Sequence, residues 1–418
     1  MMTSNDHAFV WIWLPGQTSP VPAGRLDRRA GGLISFTYGR SYRGRADAIP
    51  VYLPELPLRA GRIDPLNALS IAGCISDAAP DAWGKRVILQ TLVGRSATDT
   101  ADLDTLTYLL RSGSDRIGAL DFQESPDVYV PRASKATLEE LEQAAWLVQE
   151  NEPLSPELDQ ALLHGGSIGG ARPKATLTDG NRHLIAKFSA TDDPHPVVKG
   201  EFVATTLARL VGLDVCAVSL TQVLGRDVLL IDRFDRTPSG ERRLMVSALT
   251  LFELDEMFAR YASYSELADM IRSRFANPQE TLRELFSRIT FNILVGNNDD
   301  HARNHAAFWD GQLLSLTPAY DLCPGPRSGQ VMQQLMGIGY PSTPGQGDGW
   351  RDSQVAGCIE RASIYRLAEH EARSIVDHQI ETIRRSWNDV CDQANLTTAD
   401  RGFFWGRQFL NPYALEGL

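Results

Sequence analysis

The residues with the most chemical content lie in NNDDHARN, Asn297 to Asn304, at the end of the apolar stretch LFSRITFNILVG. Asp299 and Asn304 share this short loop, and Asp321 follows in LTPAYDLCPG. Phosphoryl transfer needs a base for the attacking hydroxyl and oxygen ligands for magnesium on the nucleotide phosphates. An Asp-x-x-x-x-Asn loop with a second aspartate one short β-hairpin later supplies both. Magnesium keeps several waters, so one amide and one carboxylate are enough protein oxygens. Asn and Asp also abound in plain turns. The leading helix and the downstream aspartate lift the pattern above that bland reading.

Three further segments bear on the same chemistry. GGSIGGARPK, Gly165 to Lys174, has glycines that let backbone N–H groups approach phosphates, with basic side chains beside them. Its spacing is not that of a Walker A loop, and the glycines alone fit a tight helix–strand connection better than a phosphate site. Lys187 lies in HLIAKF beside Ile185 and Phe188. It is either a buried lysine held toward a phosphate, paired with Glu201 on the next helix, or a snorkelling strand-edge lysine. LLIDRFDRT places Asp232 and Phe234 where an adenine hinge would lie, or at an ordinary strand end.

The elements that must position these groups run from strands to helices. Strands are expected at Phe9 to Leu14, Gly32 to Tyr38 and Ile49 to Leu53. Helices follow over the stretch from Ser76 and at Asp102 to Leu110, then a linker at Glu124 to Ser134 with Pro126 and Pro131. Helices at Leu138 to Glu150 and Pro156 to His164 precede the glycine-rich stretch. Strands at Ala175 to Leu177, His183 to Phe188, Val215 to Leu220 and Asp227 to Ile231 enclose one helix, Val197 to Val211, closed by Gly212. Beyond Arg236 the pattern is helical: Ser265 to Phe275, Glu280 to Val295 and a set from Val355 to Gln408. Two short strands, His305 to Trp309 and Gln312 to Leu316, interrupt it.

The chain has 418 residues, so two or three subdomains are expected. Lysine plus arginine total 41 against 52 acidic residues, a net charge of -11. That balance argues against a free-standing nucleic-acid binder, although a local basic patch is compatible with it. Five scattered cysteines without a Cys-x-x-Cys pair read as reduced thiols of a cytoplasmic protein, with neither disulfide framework nor zinc site. The first residues read as a strand and not a signal peptide, and no apolar run reaches the roughly 18 residues of a membrane span.

Together these segments resemble the HipA family of serine/threonine kinases, the toxins of bacterial type II toxin–antitoxin pairs. Gly165 to Lys174 matches Gly-x-Ser-x-Gly-Gly-x-x-Pro-Lys, Asn297 to Asn304 matches Asn-x-Asp-x-His-x-x-Asn, and Pro318 to Asp321 matches Pro-x-Tyr-Asp. PDAWGKRVI is similar to the family's Pro-Asp-x-Trp-Gly segment, and the likeness covers nearly the whole chain. It implies an α+β, bilobal kinase fold: a β-rich N-terminal subdomain (1–123), a mixed α/β N-lobe (135–236) and a mainly helical C-lobe (237–418).

Carried over residue by residue, the resemblance makes Asp299 the catalytic base and Asn304 and Asp321 the magnesium ligands. The ATP-binding set adds Ser167, Gly169, Gly170, Arg172, Lys174 and Lys187 at the phosphates, and Asp232 and Phe234 at the adenine. His301 belongs to it as a brace of the catalytic loop, while His305 is structural. Ser167 matches the serine whose autophosphorylation expels the loop and silences the kinase. Asp232 stands where a glutamate is familiar, and Arg172-Pro173 makes the loop stiffer and more basic, which favours phosphate contact by Arg172. The family further implies a HipB-like helix-turn-helix antitoxin, operator DNA reached mainly through it, and a protein substrate in translation, typically an aminoacyl-tRNA synthetase, with persistence as the outcome. Two other readings compete: a catalytically weak nucleotide-binding module that binds an antitoxin, and a small-molecule phosphotransferase.

Overall fold

The computed structural model describes residues 6–93, 103–133, 136–165, 170–327, 329, 331–340 and 349–418. The chain forms two compact units. The first comprises 1–192, 221–246 and 308–312; the second comprises 193–220, 247–307 and 313–418. The division expected near residue 123 falls inside the first unit, and the one near 236 falls shortly before the chain leaves it.

The first unit opens with an antiparallel sheet of β1 (His7–Ile12), β2 (Val21–Arg28), β3 (Ile34–Tyr38), β4 (Arg62–Ile63) and β5 (Leu120–Gln123), in the order β4-β3-β2-β1-β5. Sequence reasoning finds β1 and β3 but misses β2, whose Pro22 and Gly24 read as turn residues. The register passes from Val10 opposite Gly24 to Trp11 opposite Pro22, so Ala23 is left over in a bulge that accommodates the proline. Gly24 is required sterically, because a Cβ there would meet the Phe36 ring at 2.6 Å. The strand expected at Ile49 to Leu53 is absent; a single bridge from Tyr52 to Leu56 takes its place. Two short helices, α1 (Arg40–Arg43) and α2 (Gly73–Ser76), fill the connections.

Next come α3 (Ala82–Val93), α4 (Thr105–Arg111), α5 (Leu138–Gln149) and α6 (Pro156–Gly165). Asp104 caps α4, and a capping box between Thr137 and Glu140 starts α5, each satisfying backbone N–H groups that a helix leaves open. A second sheet holds β6 (Lys174–Asp179) and β7 (Arg182–Phe188). After α7 (Val197–Leu210) in the second unit it gains β8 (Val218–Val223) and β9 (Arg226–Asp232), giving the order β6-β7-β9-β8. Trp83, Val87, Leu141, Val148 and Leu162 pack on Ala175, Ala186, Phe188 and Val228, so α3, α5 and α6 cover one face of this sheet. Strand alternation then puts Lys187, between Ala186 and Phe188, on the opposite face.

Charged residues after β9 are buried beneath this unit. Arg233 bonds Asp115 and Asp235 at 2.8 Å each, and Arg236 reaches the same two carboxylates at 3.0 and 2.9 Å. Gly118 N–H donates to Asp235 at 2.7 Å. Burial pushes the Asp235 carboxyl up, but Arg233 and Arg236 outweigh it and lower its pKa to about 2.

The second unit is mainly helical: α7, α8 (Ala248–Leu251), α9 (Tyr264–Arg274), α10 (Pro278–Val295), α11 (Val355–Glu360), α12 (Glu369–Gln393) and α13 (Thr398–Phe404). A small sheet orders β10 (Met245–Ser247), β11 (Ala306–Trp309) and β12 (Leu314–Leu316) as β10-β11-β12. Helix α10 is its axis, with Leu282, Leu285, Phe286, Ile289 and Ile293 all buried. Pro278 opens it, where a missing N–H costs nothing. Gly296 closes it at φ +70°, and a Cβ there would lie 2.7 Å from the Gln408 carbonyl. None of the five cysteines forms a disulfide. Among the described residues, no helix is long and apolar enough to cross a membrane.

Removing Asp235 leaves two buried guanidinium groups sharing the single Asp115 carboxylate, so Asp235→Ala should cost about 3–5 kcal/mol in urea unfolding. Because the folded pKa is depressed, the carboxylate's contribution is complete above its unfolded value, near ~4, and fades as pH falls toward 2. Melting temperatures followed from pH 7 to 2 should therefore drop below about pH 4 in the wild type and drop less in the variant.

Candidate active site

The loop of interest begins where α10 runs out. Its last turn presents Asn292 inward, and Gly296 turns the chain so that Asn297 Nδ2 donates back to Asn292 Oδ1 at 3.1 Å and across to the Asp321 carbonyl at 3.4 Å. Asn297 is buried. Gly325 N–H donates to the Gly296 carbonyl at 2.9 Å, and a Cβ on Gly325 would overlap the Asn298 side chain at 1.8 Å. The segment after Asp321 is thereby laid directly against the loop.

Two adjacent aspartates then take opposite environments. Asp300 is buried, and its Oδ2 accepts from Asn292 Nδ2 at 2.7 Å, from His305 Nε2 at 2.9 Å and from the Tyr264 hydroxyl. Burial raises its pKa, yet His305 and the Tyr264 hydroxyl hold it below the usual carboxylate range. Asp299 is exposed. Partial desolvation first, then the charges of Asp321 and Asp300, keep its pKa above the ordinary value, with His301 opposing them.

Around Asp299 the other candidates of this unit converge. Asn304 Nδ2 donates to the Asp299 carbonyl at 3.2 Å, which turns its Oδ1 to the opposite branch of the amide. Asp321 adopts φ +60°, a left-handed conformation that Asp tolerates better than most residues and that recurs where a side chain must be aimed. Cys323 N–H donates to its carbonyl at 2.9 Å, and the Tyr320 hydroxyl bonds the Arg303 carbonyl at 2.5 Å, fastening the Pro-Ala-Tyr-Asp segment to the loop. His301 Nδ1 is buried without a hydrogen-bond partner. One amide oxygen and one carboxylate form a hard-oxygen set that fits magnesium completed by water and phosphate. Among the described residues, no cluster of three or more His, Cys, Asp or Glu offers an alternative metal centre.

In the first unit, Lys174 on β6 stands directly opposite Lys187 on β7, and both are buried. Directly opposed residues share a sheet face, so both lysine side chains leave their strands on the face away from the helices. Gly170 has φ +104°, and a Cβ on it would lie 2.1 Å from Lys174 Nζ. Arg172 is half-buried nearby in sequence. At the end of β9 the Asp232 carboxylate pairs with Arg182 at 2.8 Å, and Phe234 meets Phe308 edge-on at 5.9 Å. Ser167 and Gly169 lie outside the described residues. Glu201 is buried on α7 of the second unit.

Sequence reasoning missed Asp300, Asn292 and Tyr264. Only the alternation of adjacent polar residues in NNDDH hinted that one aspartate turns inward. Asp300→Ala should strand three donors and lower stability by about 3 kcal/mol or more, whereas the exposed Asp299→Asn should stay within about 0.5 kcal/mol of wild type in the same denaturation experiment.

Comparison with known proteins follows the same outline. The model of the HipA-like C-terminal domain matches residues 166–387, and that of the HipA N-terminal domain matches 12–123. A Sinorhizobium fredii protein named as a kinase, Y4mE, is 24% identical over 91% of this chain and 92% of its own length. The Shewanella oneidensis serine/threonine-protein kinase toxin HipA is 26% identical over 37% of this chain and 42% of its own. A chain in the solved Shewanella oneidensis complex of HipA, HipB and operator DNA shares the fold, with TM-score 0.67 at 19% identity, covering 94% of this chain and 93% of that one. With a single family model spanning more than half of its residues, this α+β chain belongs to the HipA family.

Proposed function

We propose that the protein is an ATP- and magnesium-dependent serine/threonine kinase acting as the toxin of a HipBA-like pair. The observation that supports this most is the convergence of Asp299, Asn304 and Asp321, tied through the Asp299 and Asp321 carbonyls by two amide side chains. In this reading Asp299 accepts the proton of the attacking hydroxyl, which its exposure permits and its raised pKa favours. Asn304 Oδ1 and the Asp321 carboxylate hold magnesium, which when bound neutralises charge on the nucleotide phosphates. Lys174, Lys187, Arg172 and the Gly170 backbone serve the phosphates. Asp232 and Phe234 border the adenine, the former through its backbone because its carboxylate is engaged by Arg182.

The resemblance to the HipA family carries the rest of the proposal. A HipB-like antitoxin binds the protein and carries it to operator DNA, the substrate is a translation component such as an aminoacyl-tRNA synthetase, and phosphate on Ser167 switches the enzyme off. The readings as a weak nucleotide-binding module or a small-molecule phosphotransferase draw on no observation that the kinase reading leaves over.

Intact mass and phosphosite mapping after incubation with Mg-ATP decide the matter. Wild type from an unphosphorylated start should gain phosphate at Ser167, and Asp299→Asn should be slower by roughly a hundredfold to ten-thousandfold with ATP binding retained. ATP binding without any transfer to the protein itself would count against self-inactivation. Asp321→Asn should make ATP affinity nearly independent of magnesium in a titration with and without chelator.

A further inference from the structure

The Pro-Asp-Ala-Trp-Gly segment, Pro80 to Gly84, has no role in the chemistry above, yet it grips the end of the glycine-rich stretch. Asp81 precedes α3, and its carbonyl accepts from Lys85 N–H at 2.8 Å, the first bond of that helix. Its carboxylate accepts from Gly170 N–H at 2.7 Å, across a separation of 89 residues. Trp83 N–H donates to the Gly170 carbonyl at 3.2 Å, so both backbone groups of Gly170 are held by one short segment. The Trp83 ring is buried, and its Nε1 donates to the Lys174 carbonyl at 2.9 Å. From the other side, Phe188 N–H donates to the Pro173 carbonyl at 3.0 Å. Residues 170–174 are therefore clasped at both ends and in the middle.

What this clasp controls is the position of a cation. Gly170 can lack a side chain and take φ +104° only at a cost in chain entropy, and the space so left is where Lys174 Nζ lies. Lys174 in turn is opposite Lys187. Moving Gly170 or Lys174 changes where the Lys174 ammonium lies on that sheet face. The same segment is also anchored upstream: Arg116 Nη1 donates to the Ala78 carbonyl at 3.1 Å, and Arg116 offers its own carbonyl to the Arg233 and Arg236 guanidiniums, Arg233 at 2.6 Å. Hydrogen bonds from the end of β9 thus reach Ala78, three residues along the chain from the Asp81 that holds Gly170.

We propose that Asp81 and Trp83 are positioning residues for the phosphate end of the nucleotide site, setting Gly170 and Lys174 for an oligophosphate. This rests on the kinase reading. The test titrates the full-length protein with Mg-ATP and, separately, with adenosine, which shares the base but lacks phosphates. Asp81→Ala should weaken ATP binding about tenfold while adenosine affinity changes less than about twofold. Asp81→Asn keeps an oxygen acceptor for Gly170 N–H and should remain within about threefold of wild type for ATP. Trp83→Phe keeps a buried ring but loses the indole donor, and should weaken ATP alone by about threefold to tenfold.

Unchanged ATP affinity in Asp81→Ala, or equal losses for ATP and adenosine, overturns the proposal and leaves the segment a plain structural brace. If Asp81→Ala does not fold, Trp83→Phe decides by the same ratio of ATP to adenosine affinity. A wild-type protein that binds no ATP removes the kinase reading itself, a result distinct from any pattern among the variants.

Discussion

A carboxylate taken out of water must be surrounded by donors, and Asp300 shows how much structure that requirement can organise. Three donors from α9, from the last turn of α10 and from the residue before β11 meet at one oxygen, Oδ2. A buried anion left short of any of them would carry a desolvation penalty of several kcal/mol. The loop between α10 and β11 is thus pinned at its centre, not only at its ends. Since successive side chains on such a loop diverge, pinning Asp300 inward leaves Asp299 outward. The reactivity assigned to one aspartate depends on the satisfaction of its neighbour.

The first unit applies the same rule to a larger set. Asp115, Asp121 and Asp235 are paired with Arg116, Arg132, Arg233 and Arg236, and the spare guanidinium N–H groups find backbone carbonyls at Ala78, Gly118 and Ser112. Such networks add little net stability compared with an apolar core of equal volume. Their geometry is demanding, however, since a guanidinium fork fits a carboxylate only in a few orientations. Here the fork partners join residues 115–121 to residues 233–236, which fixes the sequence-distant β5 strand against the end of β9. The alternating charges of DRFDRT, which the sequence leaves open between an adenine hinge and an ordinary strand end, hold these two segments together.

Legibility in the sequence follows the range of the forces involved. Helices α4, α5, α7 and α10 are readable because caps, periodic apolar residues and a closing glycine act within a few positions. Asp299 and Asn304 are readable because their separation is short, and Asp321 because one hairpin connects it to them. Strand β2 is not readable, since its proline is tolerated only by a bulge that the partner strand defines. Nor can letters distinguish Asp299 from Asp300, because the difference lies in Tyr264 on another helix. The bond between Asp81 and Gly170 joins two motifs that are each visible alone, while nothing local indicates that they meet.

Charge distribution gives these pieces a common physical sense. The chain is acidic, with a net charge of -11, yet the first unit holds two buried lysines opposite one another on a sheet face. The second gathers Asp299, Asp300 and Asp321 closely enough that their mutual repulsion contributes to the raised pKa of Asp299. In the kinase reading the complements differ: a polyanion for the lysines, a cation for the aspartates. Within the aspartate cluster, Asp300 is satisfied by donors of the fold itself while Asp299 keeps its carboxylate exposed, so one member serves the folding of the loop and the other is left for what binds.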